Sequence, residues 1–384
     1  MFSLFPPRCP LPRSFDLRTK ALQGILCLEK ELSRVMIKEG KAMKMRIYLP
    51  LLVLILMGFS AKETAARQSF RPMGSPNPPM LIIANKSGDS ISFVDLKRLQ
   101  VLGTAPTGRG PHEVAVTPDG RLAFTANYEG PGDSISVVDT DIMKEIRRIP
   151  LDPYRRPHGL AISQDGRMLY ATCEANQAVI EIEVGTGKIR RAFPTQQKIT
   201  HMLALTPDGR KLYAANIVSG TLTAVDLKTG EVVAQIPTGE GCEGIDITPD
   251  GKNLWATNRE AGTLSVIEVE TDRVVGSLAC PGFPIRLKFT PDGKMALVTC
   301  YLEGSVAFFE VAGRQEVKRI RSGISSPLRR PIGMLVEPDG GRAFVSNSGE
   351  DEVLVIDLQH LEVADRIPSG REPDGLAYVP AKSE

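Results

Sequence analysis

The chain has 384 residues, of which 42% are hydrophobic and 24% are charged, with 47 Lys and Arg against 45 Asp and Glu. This composition is that of an ordinary globular protein, and it excludes a collagen-like, low-complexity or intrinsically disordered chain. The nearly balanced charge gives no support to a general nucleic-acid-binding function.

An export signal is predicted at residues 43–66, MKMRIYLPLLVLILMGFSAKETAA. Basic residues precede an apolar run from Ile47 to Phe59, and small residues follow it, as in a secretory signal. The run is shorter than the roughly 20 residues of a membrane-spanning helix, and Pro50 interrupts it. We therefore expect a cleaved leader, a periplasmic or secreted protein and no stable membrane span. The alternative is an uncleaved N-terminal anchor.

Residues 1–42 precede this signal, although such signals stand at a true N-terminus. We expect residues 1–42 to be an extension created by a misassigned start codon, residues 67–79 to be a linker, and residues 80–380 to be the folded domain. Without residues 1–66 the chain has 36 basic and 40 acidic residues, a net charge of −4. A chain of this charge is not expected to bind nucleic acid. We separately expect a monomer.

A repeated turn motif predicts the fold. The sequence TPDG ends at Gly120, and the same sequence or a close variant ends at five later glycines: Gly166, Gly209, Gly251, Gly293 and Gly340. The steps between them are 46, 43, 42, 42 and 47 residues, a period typical of β-propeller blades. In TPDG the proline presets φ and the glycine accepts a positive φ, which favours a tight turn between strands.

Each repeat contains four predicted strands, and the two chain ends complement each other. The second strand ends in FTAN, YAAN, WATN or FVSN, and a third strand such as GTLSVIE (262–268) follows. Residues 80–108 lack a first strand, whereas EPDGLAYVP (372–380) supplies one with no strand after it. We therefore predict an all-β, seven-bladed β-propeller in which the C-terminal strand joins the N-terminal blade and closes the ring.

The second strands ending in FTAN, YAAN and WATN, with third strands such as GTLSVIE, resemble the YVTN family of seven-bladed β-propeller repeat proteins. The resemblance covers residues 80–380 and implies the propeller fold. It implies less about function, because the family includes surface-layer and periplasmic binding proteins, and related propellers act as lactonases or carry metal centres.

Alignment of the seven predicted first strands produces one column of chemically distinctive residues. The position after the proline, or its equivalent, reads His112, His158, His201, Glu243, Ile285, Ile332 and Asp374. Three of the four histidines of the chain stand in this column, and ring closure makes Asp374 a neighbour of His112. We expect the column to lie in the loops ahead of the first strands and to face the central channel.

Three imidazoles and a carboxylate around one axis form a donor set suited to zinc, iron, manganese or copper. The predicted metal ligands are His112, His158, His201 and Glu243, and the predicted catalytic groups are Glu243 and Asp374, as general bases or further ligands. Metal-assisted hydrolysis, lyase chemistry and oxidation all remain open. The alternative is a set of ordinary polar loops in a non-catalytic scaffold that binds a protein or a glycan.

Basic residues near the column predict a site for a small anionic ligand. Arg286 follows the column directly, and a guanidinium at that position suits a carboxylate group. The other basic residues of these loops are Arg109, Arg155, Arg156, Lys198, Arg329, Arg330 and Arg371. Such a basic ring would attract anions to one mouth of the channel, and the alternative is that these are solvated loop residues.

Four cysteines follow residue 66, and export would permit disulfides. Cys242 and Cys280 are predicted on loops at the same mouth in neighbouring blades, so a disulfide between them is one possibility. Cys173 and Cys300 end second strands three blades apart, which excludes a bond between those two. The asparagines that end the other second strands are expected to be structural.

Overall fold

The computed structural model describes residues 78–130, 133–322 and 330–381. These residues form seven four-stranded antiparallel sheets, so the all-β, seven-bladed propeller predicted from the repeats is confirmed. Within these ranges no helix is both long and apolar enough to cross a membrane. The expected extension at 1–42, the export signal at 43–66 and most of the linker at 67–79 lie outside the described residues.

The blades are numbered from the first complete repeat, and the strands of each are given from the innermost to the outermost. Blade 1 comprises β4 (Pro111–Val116), β5 (Leu122–Asn127), β6 (Ser134–Asp139) and β7 (Lys144–Pro150). Blade 2 comprises β8 (Pro157–Ile162), β9 (Met168–Cys173), β10 (Ala178–Glu183) and β11 (Ile189–Pro194). Blade 3 comprises β12 (Thr200–Leu205), β13 (Lys211–Asn216), β14 (Thr221–Asp226) and β15 (Val232–Pro237).

The remaining blades repeat the pattern. Blade 4 comprises β16 (Cys242–Ile247), β17 (Asn253–Asn258), β18 (Thr263–Glu268) and β19 (Arg273–Ala279). Blade 5 comprises β20 (Pro284–Phe289), β21 (Met295–Cys300), β22 (Ser305–Glu310) and β23 (Gln315–Arg321). Blade 6 comprises β24 (Pro331–Val336), β25 (Arg342–Asn347), β26 (Glu352–Asp357) and β27 (Glu362–Pro368). Blade 7 comprises β28 (Pro373–Val379), β1 (Met80–Asn85), β2 (Ser90–Asp95) and β3 (Gln100–Pro106).

The ring is closed by pairing of the two ends of the domain, as the sequence predicts. β28 runs antiparallel to β1, with Met80 opposite Val379 and Ile82 opposite Ala377. The innermost strands of neighbouring blades contact one another around the whole circle, including β28 with β4. Closure therefore gives β1 a hydrogen-bonding partner on the side that would otherwise be an open sheet edge.

The hydrophobic core lies between the blades. Seven clusters of buried side chains occur among the described residues, and each cluster joins two neighbouring blades. In the cluster between blades 4 and 5, the Trp255 ring packs edge-on against Phe289 and Phe309. Because alternate side chains of a strand point to opposite faces, each blade buries both of its faces against its neighbours. This arrangement leaves the ends of the innermost strands available for polar groups.

The repeated turns and asparagines have structural roles. In the first TPDG turn, Gly120 N donates to the carbonyl oxygen of Thr117 at 2.8 Å, and Gly120 has a φ of 69°. Asn127 Nδ2 donates to the hydroxyl oxygens of Ser134 and Ser136 at 3.1 and 3.0 Å. The asparagine amide thus ties the second strand of a blade to the third, and the structural role expected for these asparagines is confirmed.

The four cysteines of the described ranges are buried and unpaired. The disulfide considered between Cys242 and Cys280 is not formed. Instead, the Cys280 Sγ atom lies 3.8 Å from the Sγ atom of Cys300. Cys280 follows the outermost strand of blade 4 and Cys300 ends the second strand of blade 5, so the contact depends on how the connecting loop packs on the next blade.

Candidate functional site

All seven column residues occupy the second position of an innermost strand. The expectation that they lie in loops ahead of these strands is wrong. In blade 1, Pro111 pairs with Asn127 but Val114 pairs with Thr125, so His112 lies in a bulge that contains one extra residue. The same shift of register accompanies the column in the other blades. The bulge is what re-aims a side chain that a regular strand would hold within the blade interface.

Glycine after the column residue lets neighbouring innermost strands approach closely. A Cβ atom at Gly375 would lie 2.4 Å from the carbonyl oxygen of His112, and one at Gly159 would lie 2.6 Å from that of His201. Any larger residue at these two positions therefore requires a backbone shift. Three blades carry a side chain at the corresponding position: Glu113, Met202 and Arg286.

The three imidazoles of the column meet. The ring centroid of His158 lies 4.9 Å from that of His112 and 3.6 Å from that of His201. His158 is only 2% exposed, so the contact is shielded from bulk water. The predicted convergence of three histidines from three consecutive blades is confirmed.

Hydrogen bonds fix the two outer rings through their Nδ1 atoms. His112 Nδ1 lies 2.8 Å from the carbonyl oxygen of Gly110, and His201 Nδ1 lies 2.5 Å from Glu174 Oε1. When Nδ1 of a neutral ring donates its proton in this way, Nε2 retains the free lone pair. His158 Nδ1 is buried without a hydrogen-bond partner. His112 Nε2 and His158 Nδ1 are therefore available to an ion or to a ligand that donates hydrogen bonds, whereas His201 Nε2 faces Glu243 Oε1 at 3.5 Å.

A second ring of side chains adjoins the column, and the sequence interpretation missed it. It consists of the residue directly after each second strand: Lys86, Tyr128, Glu174, Ile217, Arg259, Tyr301 and Ser348. Glu174 Oε2 accepts a hydrogen bond from the Tyr128 hydroxyl at 2.6 Å and lies 3.2 Å from Arg156 Nη2. The Tyr128 ring centroid lies 4.4 Å from that of His112. The repeat alignment could have revealed this ring, because one fixed offset from the second strand selects polar or aromatic residues in most blades.

Arginine side chains pair with Glu243 of the column and with the nearby Glu113. Arg286 donates from Nη1 to Glu243 Oε1 and from Nη2 to Glu113 Oε1, both at 2.9 Å. Arg259 Nη1 donates to Glu243 Oε2 at 2.6 Å. Both oxygens of Glu243 and both terminal nitrogens of Arg286 are therefore engaged within the protein. In contrast, Arg286 Nε and Asp374 Oδ1 are buried without a hydrogen-bond partner.

Burial keeps two of the three imidazoles neutral. It lowers the pKa of His112 to about 4 and, together with the charge of the neighbouring His201, lowers the pKa of His158 well below its ordinary value. Burial alone would also lower the pKa of His201, but hydrogen bonds to Glu174 and Glu243 outweigh it and raise that pKa. The cluster therefore combines two neutral rings with one ring held among carboxylates.

The carboxyl groups of the site are of two kinds. Burial alone would raise the pKa of Glu243, but the hydrogen bond to His201 and the adjacent arginines outweigh burial and lower this pKa to about 2. Burial raises the pKa of Glu113 and of Asp374, and the charge of Arg286 offsets it only in part. Glu243 is thus a fixed anion, whereas Glu113 and Asp374 hold a proton more readily.

The predicted basic residues differ in their placement. Arg286 is buried, whereas the others within the described ranges are exposed: Arg109, Arg155, Arg156, Lys198, Arg330 and Arg371. The Arg156 guanidinium lies over the Tyr128 ring, 4.6 Å from its centroid. Together with Arg155, it lines a cleft of about 510 Å³ beside Tyr128. Arg329 lies outside the described residues.

The donor groups suit a metal ion by type but are not arranged around one. Within residues 78–130, 133–322 and 330–381, no group of three or more His, Cys, Asp or Glu side chains is arranged to hold a metal ion. The His158 and His201 rings are stacked with an interplanar angle of 29°, so they present faces rather than nitrogens to each other. A shared ion would require these rings to turn.

Fold and site together define a seven-bladed β-propeller with a histidine-rich polar centre. No protein-family model and no curated protein sequence matches the chain. Among solved structures, the chain is similar to hydrazine synthase of Kuenenia stuttgartiensis, with 25% identity and a TM-score of 0.65 over 72% of this chain and 92% of that one.

Two further similar structures are below 25% identity and show the fold alone. The periplasmic gluconolactonase PpgL of Pseudomonas aeruginosa is 19% identical, with a TM-score of 0.64 over 79% of this chain and 99% of that one. The dihydro-heme d1 dehydrogenase NirN is 17% identical, with a TM-score of 0.60 over 78% of this chain and 75% of that one. The propeller fold is thus established, whereas membership of the YVTN family stays a prediction.

Proposed function

We propose that the protein is an exported, YVTN-type propeller that binds a divalent metal ion at the centre of its ring and a small anionic ligand beside it. The observation that carries this proposal is the meeting of three imidazoles around the buried His158, with ring centroids 4.9 and 3.6 Å apart. Imidazoles with neighbouring carboxylates suit zinc, iron, manganese or copper.

His112, His158 and His201 are the ligands in this proposal. For His112 and His201 the ligating atom is Nε2, because Nδ1 donates to Gly110 in one case and to Glu174 in the other. A histidine whose second nitrogen donates to a carbonyl or carboxylate oxygen is the usual arrangement at protein metal centres, since that bond orients the ring and makes it more basic. The ligand types and their supporting hydrogen bonds therefore suit a metal ion. The rings must rotate before all three can bind it.

The two acidic column residues have different roles in this proposal. Glu243 accepts hydrogen bonds from Arg286 and Arg259, so it becomes a ligand only if an arginine releases one of its oxygens. As the structure stands, its Oε1 lies 3.5 Å from His201 Nε2 and supplies negative charge there. Asp374 Oδ1 is buried and unpartnered, so Asp374 is the carboxyl group that can bind an ion or accept a proton from a ligand. A bound divalent ion would supply Lewis acidity.

The arginines beside the histidines suit a small anion. Arg155 and Arg156 line the cleft of about 510 Å³ beside Tyr128, which Glu129 and Asp133 also line, and Arg156 pairs with Glu174. An anion in this cleft would therefore be held by hydrogen bonds from the individual guanidinium groups and not by an excess of positive charge. Lys86 adds positive charge near the column, where it assists burial in lowering the pKa of His112. In Arg286 the nitrogen without a partner is Nε, because both terminal nitrogens already donate within the protein.

Export to the periplasm or the exterior rests on the leader at residues 43–66. One protein of the same fold, PpgL, is periplasmic by its name. At 19% identity this likeness concerns the fold, so the leader is what supports the proposed location.

A second candidate is a non-catalytic scaffold that binds a protein or a glycan. It is favoured by the extent to which Glu113, Glu243, Arg259 and Arg286 satisfy one another, which is the pattern of a structural ion-pair network. In that case the imidazoles fill the centre of the ring and bind no ion.

Metal content distinguishes the two candidates. The parent chain, a variant with His112→Ala, His158→Ala and His201→Ala, and the control His360→Ala are purified alike and analysed for bound metals. His360 is exposed, bonds to Asp357 and stands outside the column. We expect about one ion per chain in the parent and the control and none in the triple variant, with unchanged circular dichroism. Equal trace amounts in all three would overturn the metal centre and favour the scaffold.

A further inference from the structure

We propose that Cys280 and Cys300 are a redox-active dithiol pair that closes to a disulfide between blades 4 and 5. Their Sγ atoms lie 3.8 Å apart, and both residues are fully buried. A disulfide has an S–S distance of about 2.05 Å, so the two sulfurs must approach by about 1.8 Å. Closure therefore requires the two side chains to rotate towards each other. The pair shares no residue with the histidine cluster.

The two cysteines occupy two positions of the repeat that face each other where neighbouring blades meet. The residue types at these positions differ in the other blades. Cys280 N donates to the carbonyl oxygen of Gly262 at 2.8 Å, and this backbone bond is made at the equivalent position by Thr107, Leu151, Thr195, Thr238, Ser322 and Ser369. Cys300 ends a second strand, where the other blades have Asn85, Asn127, Cys173, Asn216, Asn258 and Asn347. Only where blade 4 meets blade 5 are both facing residues cysteine.

The interface between blades 1 and 2 provides an internal comparison. There Cys173 has the position of Cys300, but the facing residue is Leu151, and both belong to one hydrophobic cluster. Burial raises the pKa of the Cys173 thiol, as expected for an inert apolar side chain. A single cysteine at this position is therefore packing, whereas two facing cysteines introduce redox chemistry.

Arg319 distinguishes Cys300 from an ordinary buried thiol. Its Nη1 atom lies 3.1 Å from Cys300 Sγ, and Glu316 holds the same guanidinium through two hydrogen bonds of 2.8 and 2.7 Å. The hydrogen bond from Cys280 and the charge of Arg319 lower the pKa of Cys300 despite burial. Because the thiolate is the attacking form in disulfide exchange, Cys300 is the attacking residue and Cys280 is the resolving residue.

The closing step is a thiol–disulfide exchange in which a protein or glutathione disulfide, R–S–S–R, is the oxidant. The Cys300 thiolate attacks one sulfur, the S–S bond of the oxidant breaks, and one thiolate leaves. Cys280 then gives up its proton, attacks the Cys300 sulfur of the mixed disulfide and expels the second thiolate. The pair loses two electrons and two protons, and the oxidant becomes two R–SH molecules.

Because both sulfurs are buried in the folded protein, the exchange must occur before folding is complete. Arg319, Glu316 and Cys300 all belong to blade 5, so the stabilisation of the thiolate by Arg319 is present once that sheet has formed, and the hydrogen bond from Cys280 adds to it when the loop packs. The oxidant has access until the loop that carries Cys280 packs against blade 5. The same loop carries Phe283, whose ring centroid lies 5.2 Å from the Arg259 guanidinium. Closure of the pair would therefore also restrain the loop residue that packs on Arg259.

The test follows disulfide formation during refolding. The full chain is refolded from denaturant in a buffer of reduced and oxidised glutathione, free thiols are alkylated, and tryptic peptides are identified by mass spectrometry. We expect the peptides 274–286 and 295–314 to be recovered as one cross-linked species lacking two hydrogens. The control Cys173→Ser should give the same species.

Two variants remove the pair with residues that the repeat already accepts. Cys280→Thr and Cys300→Asn place in blades 4 and 5 the residue types found at these positions elsewhere in the ring. Each should fold, as judged by circular dichroism, and leave the remaining cysteine of the pair alkylated. Recovery of both cysteines of the parent in alkylated form, or their linkage to other cysteines, would overturn the proposal.

Discussion

Replacing Glu174 with Gln is expected to weaken metal binding while leaving the blades intact. The Glu174 carboxylate accepts the Nδ1 proton of His201 at 2.5 Å, so the neutral His201 ring carries its lone pair on Nε2, which faces Glu243 Oε1 at 3.5 Å. A glutamine amide can turn its NH2 group towards His201, and Nδ1 must then act as acceptor. The proton moves to Nε2 and blocks the nitrogen proposed to bind the ion.

The expected loss of affinity exceeds the expected loss of stability. Removing the partner carboxylate of a metal-ligating histidine weakens metal binding roughly 10- to 100-fold, or about 1.4 to 2.7 kcal/mol. The Arg156 side chain is 50% exposed, so its ion pair with Glu174 contributes less than about 1 kcal/mol to folding. The Tyr128 hydroxyl keeps an acceptor, because glutamine retains one carbonyl oxygen.

The assay is a competition titration of the metal-free protein against a chromogenic chelator with zinc. Glu181→Gln is the matched control, since Glu181 is also 4% exposed and accepts hydrogen bonds from Tyr170 and Arg191 in the same blade but outside the histidine cluster. The free energy of unfolding of both variants is measured with urea. Unchanged zinc affinity in Glu174→Gln, or an equal loss of affinity in Glu181→Gln, would refute the reasoning.

Three further predictions concern the scaffold. In Gly375→Ala the new Cβ lies 2.4 Å from the His112 carbonyl oxygen, so urea unfolding should show a loss of about 1–3 kcal/mol, whereas Gly185→Ala, with nothing within 4 Å, should be neutral. Thr206 Oγ1 donates to Asp208 and is the main reason that the pKa of Asp208 falls from 3.8 to about 2. This stabilisation is present above the ordinary pKa and disappears as the pH falls towards 2. Thr206→Val should therefore raise the pKa of Asp208 measured by carbon NMR, and an unchanged value would contradict the assignment. Deleting residues 373–381 removes β28 and exposes the edge of β1, so size-exclusion chromatography should show aggregates, and a monomer with a cooperative unfolding transition would argue against closure by the chain ends.

The architecture could be predicted because it depends on short-range pattern. A TPDG turn joins adjacent strands, and the period of the turns defines blades whose hydrogen bonds form mainly between consecutive strands. Closure by β28 also followed from the pattern, because a missing first strand at one end and a surplus one at the other can pair only with each other. The convergence of the three histidines then followed from ring geometry.

The sequence pattern could not predict the contacts within the site, because these contacts join side chains that are far apart in the sequence. Arg286 bonds to Glu113, which lies 173 positions away in the chain. The period of the repeat does not predict that a carboxylate of the protein itself pairs with this arginine. The location of the histidines was also not predicted, because they lie in bulges within the first strands and not in the loops ahead of them. The role of Glu174 was not predicted because it depends on a contact with His201 in the next blade.

The sequence by itself therefore determined the number of blades, their order, the closure of the ring and the column of residues that the first strands bring to its centre. Only the tertiary structure decided which of those residues contact each other, and it also brought Cys280 beside Cys300. The physical reason is a difference in range. Strand pairing within a blade is local and repeats with the sequence, whereas side-chain pairing between blades depends on a few bulges, glycine positions and rotamers that occur once.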